Sequence, residues 1–293
     1  MAGSEAPIAL IDSHCHVEML DGVDGALAAA ATAGVDVVVS VGIDLDTSRQ
    51  AVALAGRHRP ASPAGADHVA DVALASRDRS RAPGAGRRAP VVHATVGLHP
   101  HDAAVLDEQY LAELEALARR PGVVAVGECG LDFYRDRSPR DAQRRAFLAQ
   151  IELAHHVGLP LVVHTREAGG ETMELLSRRA AGLTVIMHCF SLPEDVDECN
   201  ARGYFASFAG NLTYRNAGDL RAAAARVRED LLMVETDAPF LSPEPHRGQP
   251  NSPARVALTA ATLAAVRASS LAHVAAVTTA NARRAFGLSV AGP

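Results

Sequence analysis

The chain contains no lysine and no tryptophan; all 28 of its basic residues are arginine. Without lysine there is no Schiff-base nucleophile, no Walker-type phosphate lysine and no carbamylated-lysine bridge between metal ions, which removes several classes of barrel enzyme. Aromatic residues make up only 4% of the chain, which weakens the case for a base-stacking platform. A formal net charge of −6 argues against a globally basic nucleic-acid clamp, while leaving room for a local site where bound cations supply the positive charge. The four cysteines, Cys15, Cys129, Cys189 and Cys199, show neither C-x-x-C spacing nor a secretory framework. Residues Met1–Pro7 lack the basic start and apolar core of a signal peptide, and no apolar run reaches the length of a membrane span. A reducing, cytoplasmic setting away from membranes is therefore expected.

What is present is a long chain with a large apolar fraction. At 293 residues and 48% apolar it can build a sizeable core, and an α/β barrel fills this length as one domain. Short apolar runs alternate with helical stretches. Strands are expected at Ile8–Ile11, Val37–Val41, Val91–Val96, Val123–Val126, Leu161–Val163, Thr184–Met187, Tyr204–Ala206 and Leu231–Val234. Helices fall between them, among them Leu111–Arg119, Pro139–Val157, Glu171–Arg179 and Asp219–Val227. The punctuation is clearest around Pro139–Val157, at Ser138-Pro139, read as an N-cap followed by proline at the first helical position, and at Gly158-Leu159-Pro160, which stops that helix. Continuous apolar runs are what fully buried parallel strands look like. The fold expected is a single-domain α/β chain, a (β/α)8 TIM-type barrel over residues 1–293. An Ala/Arg/Pro-rich insertion precedes the third strand, from Arg57 to Pro90, with seven Arg against three Asp. It reads as a surface insertion, with a basic arm approaching phosphates as the alternative.

Chemistry-bearing residues recur where the strands end, the place from which barrel enzymes project their catalytic groups. The first strand runs into Asp12-Ser13-His14-Cys15-His16. His14 and His16 are two apart, so in extended backbone they share a side and can share an ion, while Cys15 faces the packing. The fourth runs into Gly127-Glu128-Cys129, the fifth into His164-Thr165-Arg166, the sixth into His188-Cys189, and the eighth into Glu235-Thr236-Asp237. A carboxylate such as Glu128 behind the buried run Val123–Val126 is costly unless cations pair with it. Five strand ends bearing His, Glu or Asp point to a metal site.

The motifs D-S-H-C-H at Asp12–His16, V-G-L-H-P-H at Val96–His101, G-E-C-G-L-D-F-Y at Gly127–Tyr134, H-T-R-E-A at His164–Ala168, H-C-F-S at His188–Ser191 and E-T-D-A-P at Glu235–Pro239 together resemble the TatD family of metal-dependent deoxyribonucleases in the amidohydrolase-like barrel superfamily. The resemblance spans Ile11 to Phe286 apart from the insertion, and departs at Leu192, where relatives usually have Gly. It implies one ion held by His14, His16, Glu128 and Asp237, and a second held by His164, His188 and the shared Glu128. It implies two divalent ions (Mg²⁺, Mn²⁺ or Zn²⁺), and a DNA substrate, single-stranded, cut from its 3′ end by a metal-activated water. Asp237 is then the candidate for orienting or deprotonating that water, with Glu128 as bridge and Glu235 as support behind them. His99 and Arg166 are candidates for gripping the phosphate, and Tyr134, Arg135 and Asn211 for touching the sugar-phosphate chain. Two other readings remain: an amidohydrolase-like enzyme acting on an amide, ester or lactone, and a non-catalytic metal-binding scaffold.

Overall fold

The computed structural model describes residues 8–59 and 87–288. Eight parallel strands follow one another in chain order, each delivered by a helix on the outside. The order is β1 (Leu10–Cys15), α1 (Val23–Thr32), β2 (Val35–Val41), α2 (Leu45–Arg57), β3 (Val91–Val96), α3 (Glu108–Ala118), β4 (Val123–Asp132), α4 (Arg140–Val157), β5 (Leu161–Arg166) and α5 (Gly169–Arg179). It continues with β6 (Val185–Met187), α6 (Val196–Arg202), β7 (Phe205–Phe208), α7 (Gly218–Arg226), β8 (Leu232–Val234), α8 (Val256–Val266) and α9 (Leu271–Ala285). This is the expected barrel. The expected insertion from Arg57 to Pro90 falls largely on residues 60–86, outside the described residues. Among the described residues no single helix is long and apolar enough to cross a membrane.

Local chemistry sets the helix ends. Asp44 caps α2, its side chain accepting from Thr47 N at 2.7 Å while the Thr47 hydroxyl accepts from Asp44 N. Asp107 caps α3 and Ser270 caps α9 in the same way. Gly158 ends α4 in the left-handed region at φ 68°, a conformation that suits glycine. At the other end of α4 the expected cap is not used. The helix begins at Arg140 with Pro139 in the capping position. Ser138 instead donates to His101 O at 2.7 Å and accepts from Ala104 N, tying the β3 loop to the β4 loop. Leu114, Phe147, Ile151, Leu176 and Leu263, all fully buried, press the helices onto the strands; burying side chains of this size contributes about 1.5–3 kcal/mol each.

Three strands run on through their ligand-type residues instead of ending before them. β1, β4 and β5 include His14, Glu128 and His164, so these side chains sit within the ladder rather than beyond it. Two bulges aim them. Between the pairs Asp12–Val38 and Cys15–Ser40, β1 advances three residues while β2 advances two. Between Val126–Leu161 and Cys129–Val163, β4 does the same against β5. A bulge re-aims a side chain, and here the re-aimed residues are His14 and Glu128. The second bulge needs glycine: Gly127 has φ 126° and an added Cβ would lie 2.4 Å from Val162 O, while one on Gly130 would lie 2.0 Å from His164 O.

The barrel closes where its first and last strands meet. Asp12 accepts from Thr236 N at 2.8 Å and from the Thr236 hydroxyl at 2.6 Å. Asp237 N donates to His14 O, and His16 N donates to Ala238 O. Burial lifts the Asp12 carboxyl to about 8, against the lowering effect of the Thr236 hydrogen bonds.

Candidate metal centre

Five imidazoles from the ends of four strands converge on the Glu128 carboxylate, and Asp237 from a fifth faces two of them. Glu128 Oε2 lies 3.3 Å from His14 Nε2 and 3.8 Å from His16 Nε2. Asp237 Oδ1 faces the same two nitrogens at 3.8 and 3.4 Å. Its Oε1 lies 2.8 Å from His164 Nδ1, 3.4 Å from His99 Nε2 and 3.5 Å from His188 Nε2. Three overlapping groups have metal-binding spacing: His14, His16 and Asp237; His14, Glu128 and His188; His99, Glu128 and His164. Both ring nitrogens of His14 are buried without a hydrogen-bond partner. An imidazole lone pair in that position is costly unless something fills it, and a divalent ion between carboxylates is the chemistry that fits.

Outer contacts fix which nitrogen faces inward. His16 Nδ1 lies 3.1 Å from Val41 O, which leaves Nε2 to the cluster. His188 Nδ1 lies 2.8 Å from Glu235 Oε1, and Glu235 is itself held by Cys189 N. His164 Nε2 lies 3.3 Å from Asp132 Oδ2, leaving Nδ1 to Glu128. A carboxylate or carbonyl behind a ligand histidine sets its tautomer and raises its basicity. His99 differs. Its Nδ1 accepts from His101 N at 3.2 Å, so its proton resides on Nε2, the nitrogen that faces Glu128. His99 therefore presents a donor where the other imidazoles can present a lone pair.

The electrostatics follow from this packing. Burial works against the Glu128 carboxylate, yet His188 and His99, with the His14 and His164 imidazoles beside it, hold it well below the usual range. Burial also opposes ionised Asp237, and His16 and His188 outweigh it. Burial pushes His16 down, but Asp237 and Glu128 bring it to about 9. His188 rises to about 10 on the fields of Glu235 and Glu128, again against burial. Burial lowers His99 to about 4, so it is neutral.

The sequence pattern missed three members of this assembly. Asp132 is buried and accepts from Tyr134 N and Arg135 N while facing His101 and His164; burial opposes its ionised form, but these partners hold its pKa down. It is four residues beyond Glu128 on one strand, so the even spacing that linked His14 to His16 also pointed to it. His101 reaches Asp132 at 2.9 Å, and Asp12 braces Thr236 beside Asp237. Of the expected substrate contacts, Arg166 and Tyr134 meet on the rim: the guanidinium lies 4.0 Å from the centre of the exposed tyrosine ring, with Arg135 5.8 Å from it on its own account. Asn211 stands across the mouth with Nδ2 3.6 Å from Cys189 Sγ and its Oδ1 buried without a partner.

A parallel eight-stranded barrel carrying a buried His/Glu/Asp cluster at the catalytic face defines a metal-dependent hydrolase. A family profile described as TatD related DNase matches residues 11–287. A metal-dependent hydrolase named TatD from Mycobacterium tuberculosis is 36% identical over 290 residues, covering 95% of this chain and 98% of the relative. A 3'-5' ssDNA/RNA exonuclease TatD from Cronobacter turicensis is 37% identical over 195 residues, 66% of this chain and 74% of the relative. The crystal structure of YJJV, a TatD homolog from Escherichia coli K12, superposes with a TM-score of 0.80 at 25% identity, covering 96% of this chain and 98% of that one. The chain belongs to the TatD family of metal-dependent hydrolases.

Proposed function

We propose that this hydrolase uses two divalent ions, Mg²⁺, Mn²⁺ or Zn²⁺, to remove nucleotides from the 3′ end of single-stranded DNA. The observation that carries the reading is the division of labour at Glu128. Its two oxygens face two different sets of imidazoles, with Asp237 on the Oε2 side, as a carboxylate bridging two ions would require. His14, His16, Glu128 and Asp237 would hold one ion; His164, His188 and Glu128 would hold the other. Exonuclease relatives within the family support a nucleic-acid substrate.

Bound there, divalent ions lower the pKa of a water and offset charge on the phosphodiester oxygens. Asp237 orients that water and accepts its proton, a role suited to a carboxylate held ionised by His16 and His188. The water oxygen bonds to phosphorus as the bond to the leaving sugar oxygen breaks, and that oxygen takes up a proton from solvent. His99 does not ligate in this reading. Its Nε2–H donates to a phosphate oxygen, since its tautomer makes it a donor. Arg166 grips the phosphate from the rim through its planar fork, and Tyr134 keeps that fork in place from beneath. Glu235 and Asp132 steady His188 and His164.

The test is an activity matrix on chelated protein: single-stranded DNA and a panel of amides, esters and lactones, each with Mg²⁺, Mn²⁺ or Zn²⁺. Nucleotide release with at least one metal is expected, and Glu128→Ala should lose both ions and reduce hydrolysis by at least about 10³-fold. Absence of nucleotide release with every metal would remove the nuclease reading, and full activity in Glu128→Ala would remove the bridging one.

A further inference from the structure

Phe240 stands apart from the rest of the phenylalanines. Phe147, Phe190, Phe205, Phe208 and Phe286 are buried in the core, and Phe133 is covered by Arg140 at 4.2 Å. Phe240 is 51% exposed. Its one ring contact is edge-on with His16, 5.8 Å between centroids. Among the described residues the only other exposed Phe or Tyr ring is Tyr134, which also stands on the rim of the mouth.

The exposure of Phe240 is enforced by the backbone. Phe240 N donates to Asp237 O at 2.8 Å. Phe240 O accepts from the amide of buried Asn251 at 2.8 Å, and the same amide donates to Thr236 O. Asn251 N donates back to Pro239 O. Asp237 and Leu241, on either side, both hold positive φ, at 55° and 50°; backbone conformations this costly persist where the surroundings over-determine them. Gly210 completes the clamp, since a Cβ there would meet Leu241 O at 2.0 Å. The ring is thus presented on a rigid support, one imidazole away from the Glu128–Asp237 cluster.

From this we infer that Phe240 is a base-stacking subsite, receiving a nucleobase of one of the two nucleotides that flank the cleaved bond. The inference rests on the nuclease reading above. An uncharged ring offers every base the same π face, so the contact recognises a single-stranded end without reading its sequence. A base paired inside a duplex has both faces covered and cannot use the ring without being unstacked, and a terminal pair leaves only its outer face open. Phe240 would therefore favour frayed or single-stranded ends. Arg166 with Tyr134, from the β4 and β5 loops, and Phe240, after β8, would hold phosphate and base from different sides of the mouth.

Two measurements test this. The first compares cleavage of single-stranded oligonucleotides that carry an abasic residue at the 3′-terminal or the penultimate position with the intact strand. Wild-type holoenzyme should slow by on the order of tenfold or more on one of the two, and Phe240→Ala should reduce that discrimination to below about twofold. Phe240→Trp should keep it. The second uses the absence of native tryptophan: Phe240→Trp installs a unique fluorophore. A ten-thymidine strand with hydrolysis-resistant phosphorothioate linkages should quench it saturably, and the same strand with its last two bases removed should not. Equal wild-type rates on all strands, discrimination retained in Phe240→Ala, or equal quenching by both strands would overturn the stacking role while leaving the nuclease standing. Failure of the wild type to cut any strand would overturn both.

Discussion

The rings of His14 and His188 lie face to face, with centroids 3.5 Å apart and planes within 20° of parallel. His16, His164 and His188 each have a carbonyl or carboxylate behind them. His14 has none, and both of its nitrogens are without a hydrogen bond. Its orientation is set by packing on His188. Burial and the neighbouring His188 lower its pKa, as two stacked imidazoles cannot both carry charge cheaply.

This stack couples positions assigned to different ions. His14→Ala and His188→Ala should each lower hydrolysis by about 10²–10³-fold, and the double variant should cost little more than either alone. Steady-state kinetics over the full cycle measures the coupling. Additive losses would mean that the two rings act independently.

Asp132→Asn and Glu235→Gln keep the shape of the residues behind His164 and His188 but remove their charge. Each should weaken metal affinity or activity by about 10–100-fold with the melting temperature of the metal-free protein little changed. Metal titration and thermal melting together separate this from a fold defect. A variant that melts much lower with undiminished affinity would assign the carboxylate to structure alone.

Metal uptake should release protons. In the metal-free cluster His16 titrates at about 9 and His188 at about 10, so near neutral pH both hold protons that a ligand nitrogen must shed. Affinity should therefore rise with pH up to that range and fall as pH drops. Calorimetry in buffers of different ionisation enthalpy should show at least about two protons leaving near neutral pH, since His164, raised against burial by Asp132 and Glu128, adds to the release. A pH-independent affinity between about 6 and 9 would contradict the cluster's charge state.

His93, on β3 and away from the cluster, predicts the acid limb of stability. Burial, with Arg59 nearby, lowers it to about 4 in the fold from the usual 6.5 of an imidazole. Between those values the unfolded chain binds a proton that the folded chain refuses, so the contribution is complete above the upper value and is lost as pH falls through the window. The loss by about pH 5 should be on the order of 2 kcal/mol. His99 contributes with the same sign, so the informative comparison is denaturation of wild type against His93→Gln at about pH 7 and about pH 5. An identical pH slope in the two proteins would remove His93 as a source.

The barrel and its ligand-type residues were legible because buried parallel strands read as apolar runs and their ends expose whatever residue follows. The spacing of His14 and His16 gave their shared side for the same reason. The extent of the strands was less legible, because bulges are set by pairing between β1 and β2 and between β4 and β5, and no local propensity encodes that. Ser138 illustrates the limit on helix caps: a serine before proline has capping chemistry, but here the loop after β3 claims its hydroxyl. Asp12 looks like an ordinary acid in sequence, and only its burial against Thr236 gives it a role, whereas Asp132 was reachable from its even spacing to Glu128 once the strand was known to run that far. Phe240 was hidden in the opposite way, since a lone phenylalanine gives no sign that the fold will leave it in solvent.

The joint between β1 and β8 also sets an order of events. Asp12 and Thr236 are 224 positions apart, and His14 meets Asp237 across the same joint. During synthesis the chain emits His14 and His16 early, then Glu128, and the carboxylate proposed to act on water only near the end. Hydrolytic competence would thus arrive only once the final strand and the segment after it, which carries Asp237 and Phe240, have been made. A chain cut off before this joint would lack the Asp237 carboxylate and would leave Asp12 without its Thr236 partners, so a fragment would be inert as a hydrolase.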